Sequence, residues 1–190
     1  MFQGLRPVLP KKEKQMNELL MYAKHNQAVN RIIYDLLDKM SNDDREKDRG
    51  SYYGSLSGLF RHIIGGSRYY LGIYKKPLSD NTDAAEKISA IENLPKIPAG
   101  ALNVVQWKGL EPVMTAIDAA CISVAEAMKE YDLNLPVKVD WYEGNPDSVP
   151  LFFLLSQLLV HNIHHRGQIS QIFDSLKIAN DFSRIDISFL

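Results

Sequence analysis

The run His161-Asn162-Ile163-His164-His165-Arg166-Gly167-Gln168 holds three of the chain's five histidines. It lies in an apolar stretch that predicts a buried helix. His161 and His165 are one helical turn apart, so both imidazoles leave the same face. Neutral imidazole is the commonest side-chain ligand for a transition metal, and an i, i+4 pair suits a single ion. The remaining ligands must come from another element.

Helical geometry selects among the histidines. With His161 as zero and about 100° per residue, Leu154, Leu158, His165 and Ile172 fall at roughly 20°, 60°, 40° and 20°. The pair therefore sits in the core stripe. His164 falls at roughly −60°, between Gln157 and Gln171, and reads as a residue at a helix boundary or at the mouth of the site. On the second predicted helix, which carries His62, the residues Ser55, Leu59, Gly66, Tyr69 and Ile73 lie within roughly 60° of it. His62 thus faces inward, with small neighbours leaving room around it. A lone histidine there is ordinarily a hydrogen-bonded core residue. Three inward imidazoles without a common partner would bury several unsatisfied nitrogens, and one cation binds a nitrogen of each. Three nitrogen ligands with no evident fourth protein ligand is the pattern of an open, catalytic-type site. Cys121 is the one soft candidate for a fourth ligand, read otherwise as a small buried hydrophobe. His25 falls one residue off its helix's stripe and reads as a surface residue.

The elements that position these residues follow from periodicity. Lys11 to Met40 predicts a first helix, with the stripe Leu19, Ala23, Asn26, Asn30, Ile33, Leu37, Met40. The charged run from Ser41 to Gly50 reads as a solvated link. A second helix is predicted from Ser51 to Tyr74, ended by Lys75-Lys76-Pro77. Leu78 to Lys108, with Pro95, Pro98 and Gly100, reads as a long crossover with room for one short helix. A third helix is expected over Gly109 to Tyr131, with Pro112 in its first turn, and its apolar face is Val113, Ile117, Ala120, Val124 and Met128. Leu135 to Gly144 alternates at Val137, Val139 and Trp141 and predicts a short strand or hairpin. The last helix runs from Asp147 or Ser148 to Leu176, and Lys177 to Leu190 is expected to be a partly ordered tail. The predicted fold class is all-α: a four-helix bundle with a long crossover between helices 2 and 3. Links in plain bundles are usually about 2–8 residues, so the longer one points to a crossover.

A chain of 190 residues fits one domain, 1–190, with a sizeable core. Hydrophobic residues at 45%, charged residues at 24% and a net charge of −1 give no global field for nucleic acid or an anionic membrane. A single cysteine excludes an internal disulfide framework and suits a reducing cytoplasm. Met1 to Pro10 has no apolar signal-like core, and Val149 to Val160 is too short to span a bilayer. The expectation is a cytoplasmic protein.

His62, within Leu59-Phe60-Arg61-His62-Ile63-Ile64, together with His161 and His165-Arg166-Gly167-Gln168, resembles the DinB/YfiT-like superfamily of metal-binding four-helix bundles. That pattern has one histidine on the second helix and two on the fourth, the last followed by Arg-Gly-Gln. The family's first-helix Tyr-Asn-x-Trp-Ala-Asn signature corresponds to His25-Asn26-Gln27-Ala28-Val29-Asn30, which keeps both asparagines and departs at the two aromatic positions. The resemblance covers roughly Leu19 to Leu176. It implies an up-down-down-up helix order, a divalent metal (nickel, zinc or iron) held by His62, His161 and His165, and homodimers. It also implies a class containing metal-dependent hydrolases, thiol-dependent S-transferases and a maleylpyruvate isomerase.

For the neighbours, a guanidinium at Arg166 near the core must be paired, through an interhelical salt bridge or carbonyl contacts, with anion recognition as the other reading. Gly167, Gly65 and Gly66 read as points of close helix approach. Gln168 is either a ligand-orienting partner or a surface residue. Asn26 and Asn30 either orient ligands and substrate or bond between helices. Tyr22, Tyr69 and Tyr70 either line a pocket or pack as core. No carboxylate is placed well enough to be named a general base. The functional expectation is a metal enzyme acting on a small molecule, such as a low-molecular-weight thiol, by hydrolysis or S-transfer; a non-catalytic metal-binding stress or interaction protein is the alternative.

Overall fold

The computed structural model describes residues 11–141 and 147–189. The sequence readings made on Met1 to Pro10, on 142–144 and on Leu190 lie outside the described residues. Four long helices dominate: α1 (Lys11–Asp38), α3 (Leu56–Tyr74), α5 (Val104–Ala127) and α6 (Leu151–Ser175), with short helices α2 (Asn42–Glu46) and α4 (Thr82–Ala90) between them. The class is all-α, as predicted. α1 packs mainly on α5, and α3 on α6, while α4 lies along α5 within the crossover. No helix among the described residues is long and apolar enough to cross a membrane.

Where the helix ends differ from the prediction, local chemistry explains the shift. α3 starts at Leu56 rather than Ser51, because Ser55 caps it by accepting from the Gly58 amide. The residues before it form a tight turn that brings the Tyr53 carbonyl over the first turn of α3. A Cβ at Gly58 would collide with that carbonyl. α5 starts five residues earlier than predicted, at Val104, because Asn103 and Gln106 form a reciprocal capping box. Pro112 consequently lies inside the helix rather than in its first turn. α6 starts at Leu151: Val149 and Pro150 stay extended and form strand β2, antiparallel to β1 (Pro136–Val137). Proline disfavours the helical conformation at the residue before it, which holds Val149 in the strand.

The charged link is not simply solvated. Arg45 is buried at 2% exposure. Its guanidinium donates to the Leu37 carbonyl in the last turn of α1 and to the Met40 carbonyl just beyond it, and it lies 4.3 Å from the Trp107 ring centroid. The core beside it stacks Tyr34 on Trp107 at 5.0 Å, with Phe60 against both rings. The predicted stripe of α5 is buried throughout. On α3, however, Tyr69 is 59% exposed, and Ile63, Ile64 and Leu71 fill the interior instead. The C-terminal segment lays Phe182 on Phe173 and its last turn (Ile187–Phe189) on α1.

Phe60 is fully buried between these aromatic rings, and truncation there leaves a cavity that the stacked pair cannot fill. Phe60→Ala is expected to lower unfolding stability by about 3–5 kcal/mol, read by urea denaturation.

Candidate metal centre

The packing of α3 on α6 brings His62 opposite His161 and His165. One ring nitrogen of each lies within 4.8 Å of the others. The three ring centroids are 4.5–4.6 Å apart. His62 Nε2 and His161 Nε2 meet at 2.7 Å. Gly66 permits this: a Cβ there would stand 2.9 Å from His161 Cε1. The close approach predicted at Gly66 is thus present. Gly167 has no neighbour that a Cβ would touch, and a Cβ at Gly65 would meet only Ile97 of the crossover at 3.9 Å, so the close helix approaches predicted at these two glycines are corrected; α6 turns Gly167 to the surface.

Two of the imidazoles are held from behind. His165 Nδ1 lies 2.8 Å from Gln168 Oε1, and His161 Nδ1 lies 3.3 Å from Asn162 Oδ1. An amide oxygen only accepts, so each Nδ1 carries the proton and each Nε2 keeps its lone pair. This is the arrangement by which carbonyl oxygens orient metal-ligating histidines. Tyr53 stacks on His62 with centroids 3.8 Å apart. Burial, then the two neighbouring imidazoles, lowers the His62 pKa to about 4. Burial also lowers His161 and His165, partly offset by their amide partners. All three favour the neutral, ligating form. In a tetrahedral site with metal–nitrogen bonds of about 2.0–2.1 Å, ligand nitrogens stand roughly 3.3 Å apart. The cluster brackets that spacing, so the donor set fits one small divalent ion.

The other sequence candidates fall around the triad. His164 is exposed and turned aside, its ring 4.9 Å from that of His165. Cys121 does not join the ligands; it lines an apolar hollow with Leu71, Tyr74, Val124 and Leu158, and burial pushes its thiol up. His25 is not a surface residue. The C-terminal segment covers it, edge-on to Phe189 at 6.3 Å, and a wheel drawn from the bundle interior cannot anticipate that cover. Arg166 is buried and pairs as expected of a core guanidinium, donating to the Asn26 carbonyl oxygens of backbone and side chain and to Asn30 Oδ1.

Three residues escaped the sequence reading, among them Asn162, which is buried and faces His161 Nδ1. Tyr53 belongs to a turn that periodicity assigned to a helix. Asp118, at 2% exposure, accepts from Asn26 Nδ2 at 3.0 Å and Asn30 Nδ2 at 2.8 Å. Its signal was present: it is the only charged residue between Glu111 and Glu126. Beside His62 opens a cleft of about 640 Å³, lined also by Tyr52, Tyr53, Glu46, Arg61 and Gly66.

The DinB family profile matches residues 14–176. The chain belongs to the DinB family. Comparison with curated proteins and with solved structures gives no match.

An unfolded imidazole titrates near about 6.5, whereas His62 in the fold titrates at about 4. Between those values the unfolded chain binds more protons, so His62 removes stability as pH falls through that window. Asp118 acts oppositely: burial pushes it up to about 7, so the fold keeps a proton there that the unfolded chain releases. Under chelator, His62→Gln is expected to lose stability less steeply than wild type from pH 6.5 to 4. Parallel curves in urea denaturation would refute a neutral, desolvated His62.

Proposed function

We propose that His62, His161 and His165 bind one divalent transition metal ion and that the chain is a metal-dependent enzyme acting on a small molecule. The observation that carries the reading is three imidazoles with converging nitrogens beside a large cleft. Zinc, nickel and iron all suit imidazole ligands. A divalent ion with three protein nitrogens keeps a coordination position for water or a thiolate and makes either a nucleophile near neutral pH. Hydrolysis of a small substrate and transfer of a low-molecular-weight thiol both fit.

The chain's own residues supply the surroundings. Tyr53 covers one face of His62 and excludes water from it. Gln168 and Asn162 hold the His165 and His161 rings. Glu46, Asp48 and Arg61 give the cleft groups of both charges for a substrate's polar ends. An up-down-down-up order and a homodimer complete the reading. The long crossover supports the first, and the exposed apolar side chains Val160 and Ile163 on α6 support the second.

Elemental analysis of purified protein is expected to find about one metal ion per chain, with loss of that metal in His62→Ala and in His165→Ala. Full occupancy in either variant would sink the assignment. Gly66→Ala provides a finer check, since its Cβ displaces His161. Its metal affinity is expected to fall by about tenfold or more, whereas Gly65→Ala, whose Cβ meets only Ile97 at 3.9 Å, retains wild-type affinity. Both substitutions gain the same helix propensity, so a competition titration with a chromogenic chelator separates the steric effect from a general one.

A further inference from the structure

Behind His161 runs a chain of hydrogen bonds that crosses the bundle. Asn162 Oδ1 faces His161 Nδ1; Asn162 Nδ2 donates to Asn26 Oδ1 at 2.9 Å; Asn26 Nδ2 donates to Asp118 Oδ1 at 3.0 Å. His161 and Asn162 belong to α6, Asn26 to α1 and Asp118 to α5. Arg166 adds a second donor to Asn26 Oδ1, and Asn30 bridges Arg166 and Asp118 in parallel.

The ends of this network allow one direction only. A guanidinium has donors and no acceptor; at the other end Asp118 Oδ1 accepts from both asparagine amides, and any proton the carboxyl holds sits on Oδ2, outside the network. An amide between them must turn its oxygen to Arg166 and its NH2 to Asp118. Asn26 is fixed that way, so its oxygen is what Asn162 meets, and Asn162 must present its NH2 to it. That leaves the Asn162 oxygen toward His161, which accepts only from a protonated Nδ1. The Nε2 lone pair is then directed away from the network, toward His62.

We infer that Asp118 is a positioning residue: acting through Asn26 and Asn162, it fixes His161 in the Nδ1–H tautomer and so presents Nε2 for ligation. The inference rests on the metal-site reading for its purpose, and its tautomer claim is tested without metal. His62 complements it. With His161 Nε2 unprotonated, the 2.7 Å contact between the two Nε2 atoms requires the proton on His62. The metal-free protein therefore holds opposite tautomers at the two positions, and ligation through His62 Nε2 would require its proton on Nδ1 instead.

Long-range ¹⁵N–¹H correlation spectra of the metal-free full chain, with histidine nitrogens labelled, read the tautomers directly. Wild type is expected to show Nδ1–H at His161 and Nε2–H at His62. Asn26→Ser breaks the chain and should shift His161 to a mixed population. Its affinity for Zn2+ should fall by about tenfold, the low end of what loss of a ligand-orienting partner does. Asn30→Ser is the control: it breaks the parallel bridge between the same two buried groups, so it should lower Tm comparably while leaving tautomer and affinity at wild-type values. Asp118→Ala should release the tautomer, and Asp118→Asn, which retains an accepting oxygen, should restore it. The inference is overturned if Asn26→Ser keeps a pure Nδ1–H tautomer at His161, or if Asn30→Ser shifts it equally. Wild-type protein that binds no Zn2+ but shows the stated tautomers overturns the metal reading alone.

Discussion

Burying a guanidinium and a carboxylate in the same helical bundle is the constraint on which this structure turns. Arg166 and Asp118 are each almost wholly removed from water, and two asparagine amides stand between them, turning an oxygen to one and an NH2 to the other. An uncompensated charge at either position would be strongly destabilising. The bonds join α1, α5 and α6, and Asn162 also donates to Ser67 of α3 at 3.4 Å. Hydrogen bonds are directional, so this knot sets the depth of each helix along the bundle in a way that interchangeable apolar contacts do not. Apolar burial supplies most of the cohesion; the polar network supplies register.

Register is what the triad needs. His62 reaches His161 because α3 and α6 meet at Gly66, where the absence of a side chain brings the ring against the backbone. A shift of one residue along either helix would rotate an imidazole out of the cluster by about 100°. The residues around the rings then reinforce one chemical state. Burial disfavours imidazolium, the mutual proximity of the rings disfavours it further, and the accepting amides of Asn162 and Gln168 select one tautomer at two of the three positions. These features, which serve folding as well, make the cluster compatible with a bound cation. Tyr53, stacked on His62, borders the cleft that opens beside the site.

Much of this was legible from spacing. The α1 and α5 stripes, the inward pair His161 and His165, the turned-aside His164 and the inward His62 all follow from 3.6-residue periodicity, because a helix fixes the relative direction of its own side chains. Local cap chemistry is legible too, since Asn103-Val104-Val105-Gln106 carries the residue types of a capping box. The errors cluster where a residue's surroundings come from distant chain. His25 is buried by a C-terminal segment more than 150 residues away, and Arg45 by a tryptophan on α5. Gly167 carries the same residue type as Gly66 and faces nothing.

The sequence by itself therefore determined the all-α class, which face of each helix is apolar, and which histidines point inward, since these depend on dihedral geometry within one element. Only the tertiary structure decided that the three imidazoles meet, that Asp118 lies at the end of the path behind His161, and that Cys121 is excluded. Those facts depend on the axial offset and rotation of one helix against another. That offset is set by directional bonds among Asn26, Asn30, Asp118, Asn162 and Arg166, whose partners lie 88 to 140 residues apart, and no local pattern in the chain announces such a pairing.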